Sequence, residues 1–365
     1  MKILCDLQQL QEAFSVVSGI APLKTPKPII QNVLLRAEND SLSLFATDLE
    51  MSARVSIDSV KVKEPGSALL PARETNSLLR ELSDPTLSIE VKEFRSTLQS
   101  GAGSFVLVGD DPEFFPRETD IKQGQELSIS AGLFMDMVSK TIFATAREET
   151  RYAINGLLLE STAGCLRLVG TDGRRLALRY ENLDGDVPEI RAIIPNRTFQ
   201  VLTRIITEES DQILKIIASE NQVAFMVGKR VLISQLLENR FPDYENVIPK
   251  AADTSIEINT AVLERNLRRV AVLSSGDGRT VRFNFTATGL ELNAESSGVG
   301  RADLTMEVET KGAGGAISFN PDYLLDALKV TELETLRIDM SDESTPAKFT
   351  LGESYTYILM PISGS

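Results

Sequence analysis

The chain has 365 residues, 42% of them apolar, and a formal charge of −14. That is enough for two or three domains with real cores, and no stretch approaches the roughly 18 apolar residues of a membrane span. With no histidine and only two isolated cysteines, the chain lacks the commonest general base and cannot build a cysteine zinc site. The acidic balance counts against nucleic-acid binding unless the basic residues gather on one surface.

Lys2 to Asp6 alternates as a short strand and lacks the apolar core of a signal peptide. Leu10, Phe14 and Val17 then fall at helical spacing. A second strand–helix unit begins near Leu69, with Leu78, Leu79 and Leu82 in its helix, and residues 87–91 alternate again. The same succession returns. Glu126 to Ser130 is a strand, Leu133, Phe134, Met137 and Val138 mark a helix, and two strands (155–160 and 165–169) flank a turn at Ala163-Gly164. A further unit starts near Ile193, with Phe199, Leu202 and Ile205 in its helix, and Gln222 to Val227 closes this copy. The third pass has a strand at Ser255–Asn259 and a helix with Val262, Leu263, Leu267 and Val270. It continues with a unit near Ile317 whose helix carries Tyr323, Leu324 and Leu328, and a closing strand over 355–360.

The pattern repeats every 124 residues. Leu42 and Leu44 recur as Leu166 and Leu168, then as Leu290 and Leu292. Val33 and Leu35 become Leu157 and Leu159, then Val281 and Phe283. Thr47-Asp48 returns as Thr171-Asp172. So long a period is a whole domain, which predicts three tandem copies, 1–122, 123–250 and 251–365. Each reads β-α-β-β-β twice over, an α+β fold of two helices and antiparallel sheet. If the sheets run on from copy to copy, the chain is an arc with helices on one side. Its end strands are left unpaired, and head-to-tail contacts between two such arcs close a ring.

The second helices carry positive charge at the repeat offset: Arg73 and Arg80 match Arg197 and Arg204, and Lys329 falls near the third equivalent. Lys24, Lys27, Lys140, Arg147, Arg265, Arg268 and Arg269 add to it, while acids concentrate in 110–118, 181–189 and 332–343. Such residues are either ordinary solvated helix faces or the weakly basic wall of a hole through which a duplex slides, held by phosphate contacts that carry no sequence information.

Several segments together carry a resemblance: residues 151–156, Thr171-Asp172-Gly173-Arg174-Arg175-Leu176-Ala177, Arg240-Phe241-Pro242-Asp243-Tyr244 with Val247 and Pro249, residues 319–328, and Tyr357 to Ile362. Thr47 to Met51 and Pro71-Ala72-Arg73 also fit. In this order, over nearly the whole length, they resemble the bacterial β sliding clamps, the processivity subunit of DNA polymerase III. The resemblance implies a head-to-tail homodimer around double-stranded DNA, without catalysis or cofactor. It implies a cleft for short peptides of polymerase and clamp-loader subunits, comprising Ile154, Thr171, Gly173, Arg174, Arg175, Leu176, Pro242, Val247, Asn320, Tyr323, Met360, Pro361 and Ile362. It assigns DNA contacts to Lys24, Arg73, Arg80, Tyr152, Arg197 and Arg204, and a dimer contact to Phe105 with Val272 and Leu273. Taken singly, Ile154 and Val247 read as core. The sequence departs from the pattern at Asn246, where a basic residue is common, at Arg174, where histidine is common, and in the tail Ile362-Ser363-Gly364-Ser365.

No phosphate-binding loop is present, since Gly312 to Gly315 lacks the following lysine and hydroxyl. Asp48 and Asp172 sit in matching turns, which favours a structural role over an acid pair. The competing expectation is a multidomain β-rich hydrolase or carbohydrate-binding protein, which needs a carboxylate cluster peculiar to one copy. Cys5 and Cys165 fall in different copies and read as small buried thiols of a cytoplasmic protein.

Overall fold

A computed structural model describes the chain apart from residues 59, 119, 122, 147, 149–151, 207–210, 275–278, 288, 297 and 363–365. Arg147, Arg151 and the Ser363–Ser365 tail therefore lie outside the described residues. The first stretch runs β1 (Lys2–Asp6), α1 (Leu7–Ser18), β2 (Asn32–Glu38), β3 (Ser41–Thr47), β4 (Met51–Asp58), β5 (Lys61–Glu64), β6 (Gly66–Pro71), α2 (Ala72–Glu81), β7 (Thr86–Lys92), β8 (Arg95–Ser100) and β9 (Gly103–Val108). The second runs β10 (Gln125–Ser130), α3 (Ala131–Ser139), β11 (Gly156–Thr162), β12 (Cys165–Thr171), β13 (Arg175–Asn182), β14 (Ile190–Pro195), α4 (Asn196–Ile205), β15 (Ile213–Ala218), β16 (Gln222–Val227) and β17 (Arg230–Gln235). The third runs β18 (Thr254–Asn259), α5 (Thr260–Ala271), β19 (Val281–Thr286), β20 (Gly289–Ser296), β21 (Gly300–Glu307), β22 (Thr310–Gly312), β23 (Gly315–Phe319), α6 (Pro321–Lys329), β24 (Thr335–Met340), β25 (Ala347–Gly352) and β26 (Tyr355–Leu359). The expected β-α-β-β-β succession thus occurs six times, with β5 and β22 as additions.

The described chain forms two compact units, Met1–Met135 with Arg197–Leu236, and Asp136–Asn196 with Leu237–Ser365. In the first, one sheet is ordered β5-β1-β7-β8-β9 and another β10-β15-β16-β17-β4-β3-β2-β6. In the second, the orders are β14-β11-β12-β13-β26-β25-β24-β18-β22 and β21-β20-β19-β23. The long sheets each join two copies of the repeat. β17 lies antiparallel to β4, with Arg230 opposite Val55, and β13 lies antiparallel to β26, with Arg179 opposite Tyr355. Among the described residues, the two shorter sheets end on β9 and β21 at one side and on β5 and β23 at the other, with no strand beside these outer edges.

The repeated apolar positions are the core. Val33, Leu35, Leu42, Leu44 and their counterparts in the other two copies are all fully buried, each contributing roughly 1.5–3 kcal/mol. Where the first and third copies have Ala46 and Ala294, the second has Gly170, because the Thr141 carbonyl fills the place of a Cβ there. Short polar caps start α1, α5 and α6: Asp6 accepts from the Gln9 N–H at 2.9 Å, Asn259 from Val262 at 3.0 Å and Asn320 from Asp322 at 2.9 Å. Cys5 is buried, but Cys165 is only half-buried, since it opens β12 at the hairpin edge. Among the described residues, no helix is long and apolar enough to cross a membrane.

Candidate functional site

In the second unit, three segments enclose a narrow apolar cleft of ≈100 Å³. The first is the turn between β12 and β13. The Thr171 hydroxyl donates to the Arg175 carbonyl at 2.7 Å, and Asp172 Oδ1 accepts from the Arg174 and Arg175 N–H groups at 2.9 and 3.1 Å. These bonds force Gly173 to φ +83°, a conformation natural to glycine. The second is residues 241–247, where Phe241 packs edge-on against Tyr244 with ring centroids 6.4 Å apart. The Tyr244 hydroxyl donates to Glu160 Oε2 at 2.8 Å. Burial, then that carboxylate, pushes its phenol up to about 12. The third is the end of β26, where the Met360 N–H donates to the Arg174 carbonyl at 2.9 Å.

Arg175 holds one wall in place. Only 9% exposed, it is paired through Nε with Asp172 Oδ2 at 3.0 Å and through Nη1 with Asp326 Oδ2 at 2.7 Å, while Nη2 donates to the Phe143 carbonyl at 2.7 Å. Its guanidinium lies 4.5 Å from the Tyr323 ring centroid, a stacking geometry suited to arginine. Arg174 Nη1 donates to the Tyr323 hydroxyl at 3.3 Å and forms the polar rim.

Thr171, Gly173, Arg175, Leu176, Pro242, Val247 and Met360 line the cleft, as do Asp243, Tyr244 and Ile358, which sequence reasoning missed. Ile358 could have been found, because it sits two residues before Met360 on the same strand face. Arg174 and Tyr323 meet beside it. The other expected cleft residues are not among the lining. Ile154 is buried, with its carbonyl accepting from the Ala146 N–H, and Asn320 is occupied in capping α6. Pro361 and Ile362 run along β23, the Ile362 N–H donating to the Ser318 carbonyl at 2.8 Å. At Asn246, the side-chain amide donates to Asp243 Oδ2 at 2.7 Å. An apolar floor with a charged rim can hold an apolar side chain of a peptide. Among the described residues, no cluster of His, Cys, Asp or Glu could hold a metal.

The basic residues divide. Lys24, Arg73, Arg80 and Arg204 are exposed, and Tyr152 is half-exposed. Arg80 and Arg204 border a hollow of ≈530 Å³ of mixed character, with Gln11, Glu12, Val16, Leu79 and Arg230. Arg197 instead pairs with the nearly buried Asp48 at 2.6 Å. Phe105 lies half-exposed on the edge strand β9, and Val272, at the end of α5, is 73% exposed beside Leu273.

The DNA polymerase III beta subunit matches in three pieces: its N-terminal domain over residues 1–119, its central domain over 128–243 and its C-terminal domain over 245–363. The beta sliding clamp of Chlamydia muridarum is 30% identical over 365 residues, covering 99% of each chain. A DNA polymerase sliding clamp from Bacillus subtilis superposes with a TM-score of 0.96 at 26% identity, covering 100% of both chains. A DNA polymerase III subunit beta from Pseudomonas aeruginosa, solved bound to griselimycin, superposes with a TM-score of 0.94 at 28% identity, again over 100% of both.

Proposed function

Because the chain belongs to the DNA polymerase III beta subunit family, and so is a DNA sliding clamp, we propose that two copies close head to tail around double-stranded DNA by the junction already used twice within each chain. Inside the chain, the third strand after each first helix pairs with the last strand of the next copy, β4 with β17 and β13 with β26. The remaining members of that series are β21 and β9, which among the described residues each end a sheet without the partner their counterparts have. Leu232 and Tyr357, which match Phe105, are fully buried in their junctions. Phe143, which stands where Val272 does past the start of its helix, packs on Tyr357 with ring centroids 6.0 Å apart. The same geometry sets Val272 of one copy on Phe105 of the other. The internal registers predict Phe105 opposite Ala302 and Leu107 opposite Gly300. A five-stranded and a four-stranded sheet then become one of nine strands.

We read the copies as domains 1–122, 123–250 and 251–365, with Lys24, Arg73, Arg80, Tyr152, Arg197 and Arg204 towards the duplex. Phosphate contacts of this kind are weak and salt-dependent. A closed ring retains DNA by topology, so a net charge of −14 is no obstacle. The cleft takes short linear peptides of polymerase and clamp-loader subunits, one apolar anchor against Leu176, Val247, Ile358 and Met360. As a processivity factor the chain needs no catalytic group, and Asp48 and Asp172 are occupied as acceptors for their own turns. The hydrolase alternative is set aside. Two unpaired thiols suit the cytoplasm.

The observation that carries this reading is the pair of unmatched edges, β9 and β21. The test is retention on DNA. Protein loaded on nicked circular DNA is expected to stay through gel filtration in high salt and to leave when the circle is cut. Equal loss from circular and linear DNA, or a monomer at micromolar concentration, would overturn it.

A further inference from the structure

Arg279 ties the end of α5 to the start of α6. Its Nη1 donates to both carboxylate oxygens of Asp322, at 2.8 and 2.9 Å. Its Nη2 donates to the Ala271 carbonyl at 2.7 Å, and its Nε to the Ser274 carbonyl at 3.1 Å. The charges suit both helix ends, since a cation is favoured at the C-terminus of α5 and a carboxylate in the first turn of α6. The two carbonyls bracket Val272 and Leu273. The turn between them is tight: the Leu273 N–H donates to Val270 at 3.1 Å, the Ser274 N–H to Ala271 at 3.2 Å, and the Ser274 hydroxyl to Ala271 at 2.8 Å.

In the second copy a different arginine reaches the equivalent turn, Arg175 donating to the Phe143 carbonyl at 2.7 Å and pairing with Asp326 at 2.7 Å. Asn155 and Gln31 stand where Arg279 does at the 124-residue offset. In those copies the residue past the helix leans on the following copy within the same chain. Phe143 packs on Tyr357, and Gly19 lies so close to the Arg204 guanidinium that an added Cβ would overlap it. Among the described residues, Val272, 73% exposed, has no comparable support from its own chain. Where neighbours do not fix a side chain, its backbone must, and a forked guanidinium on two carbonyls and one carboxylate does so.

We propose that the Arg279–Asp322 ion pair is a positioning latch for ring closure, holding Val272 and Leu273 at the angle at which they meet the first domain of a second copy. This rests on the head-to-tail seam described above. Removing the latch frees the turn, so ordering it is charged against association.

Sedimentation equilibrium on the full chain tests it with Arg279→Gln, Arg279→Lys and Val272→Arg. Arg279→Gln is expected to raise the dimer Kd about tenfold, and Arg279→Lys, which keeps the charge but not the fork, to fall between. Wild-type dimerisation should weaken with salt more steeply than that of Arg279→Gln, a readout a merely structural role would not move. Partner-peptide affinity at the cleft should stay unchanged. If Val272→Arg remains dimeric, the seam itself is misplaced. If Val272→Arg is monomeric while Arg279→Lys and any folded Arg279→Gln dimerise as tightly as wild type, the latch is overturned and the seam stands. A fall in dimerisation matched by equal losses of cleft affinity and Tm would also overturn it, as general destabilisation.

Discussion

Replacing Gly173 by leucine separates the cleft from the fold. Gly173 and Leu49 occupy the same place in the same turn, with φ +83° and +82°. Thr47 and Asp48 close the first turn with the bonds that Thr171 and Asp172 make in the second. The first copy therefore already carries a leucine in this conformation. A left-handed backbone costs a non-glycine residue about 1–2 kcal/mol, and the lost freedom of glycine in the unfolded chain returns about 0.4–1 kcal/mol. The net is about 1 kcal/mol, a Tm fall of about 2–4 °C for a unit of this size. Binding responds differently. An added Cβ at Gly173 meets no atom within 4 Å, so a leucine has open space at the wall of the cleft that Gly173 lines and is expected to compete with a peptide anchor. Losing one buried anchor of leucine or phenylalanine size costs about 1.5–3 kcal/mol, roughly 10- to 150-fold in Kd. Fluorescence anisotropy with a labelled partner peptide reads the second effect and calorimetry the first. Affinity within about twofold of wild type in a folded variant would refute the cleft as the docking site, and a Tm loss beyond about 10 °C would refute the equivalence of the turns.

Met360→Ala is expected to weaken the same peptide by about 1–2 kcal/mol, and Ile362→Ala alone to change it little, because only Met360 lines the cleft; equal losses in a titration would place Ile362 in the site after all. Arg175→Met removes the bonds to Asp172, Asp326 and Phe143 and leaves the Asp172 carboxylate without its partner. It should cost about 3 kcal/mol in urea unfolding, and a loss under about 1 kcal/mol would show that solvent already screens the pair. Burial, then Asp6, pushes the Cys5 thiol from 9.0 up to about 12, so folding favours its neutral form. Its contribution is full below about pH 9 and is lost as pH rises through about 12. Urea midpoints should fall across that window and fall less in Cys5→Ala; identical curves would refute the burial effect. With no histidine, the same midpoints should stay nearly flat between about pH 6 and 8.

The fold was legible because one pattern was written three times. Leu42, Leu166 and Leu290 gave no more than a strand each, but the shared offset made them one core position, and all three are fully buried. Individual roles were less legible where a residue's partner lies far along the chain. Arg73 and Arg197 are identical in the repeat, yet only Arg197 meets Asp48, a carboxylate far away in sequence. Ile154 and Asn320 belong to segments that resemble the clamp family, but one is packed inside and the other caps a helix. Arg279 stood beside a Gly-containing loop with no periodic signal, and only its four bonds to Ala271, Ser274 and Asp322 single it out.

The two internal junctions share a frame and differ in what fills it. In the first unit the Gln235 N–H donates to the Glu50 carbonyl at 2.9 Å, as the Met360 N–H does to Arg174 in the second. Where the second has Met360, Leu176 and Gly173, the first has Gln235, Ser52 and Leu49, and the Gln235 side chain donates to the Leu49 carbonyl at 3.2 Å. Tyr244 on Glu160 is answered by Glu118, which accepts from Arg36 at 2.7 Å and Arg54 at 3.1 Å. The first junction is thus polar and satisfies itself, and an apolar peptide would gain little there while displacing hydrogen bonds. The second leaves apolar carbon facing water, which is favourable only when something covers it. Both junctions pair strands in the same way, so closing the ring does not require the difference. For the docking proposed at the cleft, the residues at 49, 52 and 235 against 173, 176 and 360 are what distinguish the first internal junction from the second.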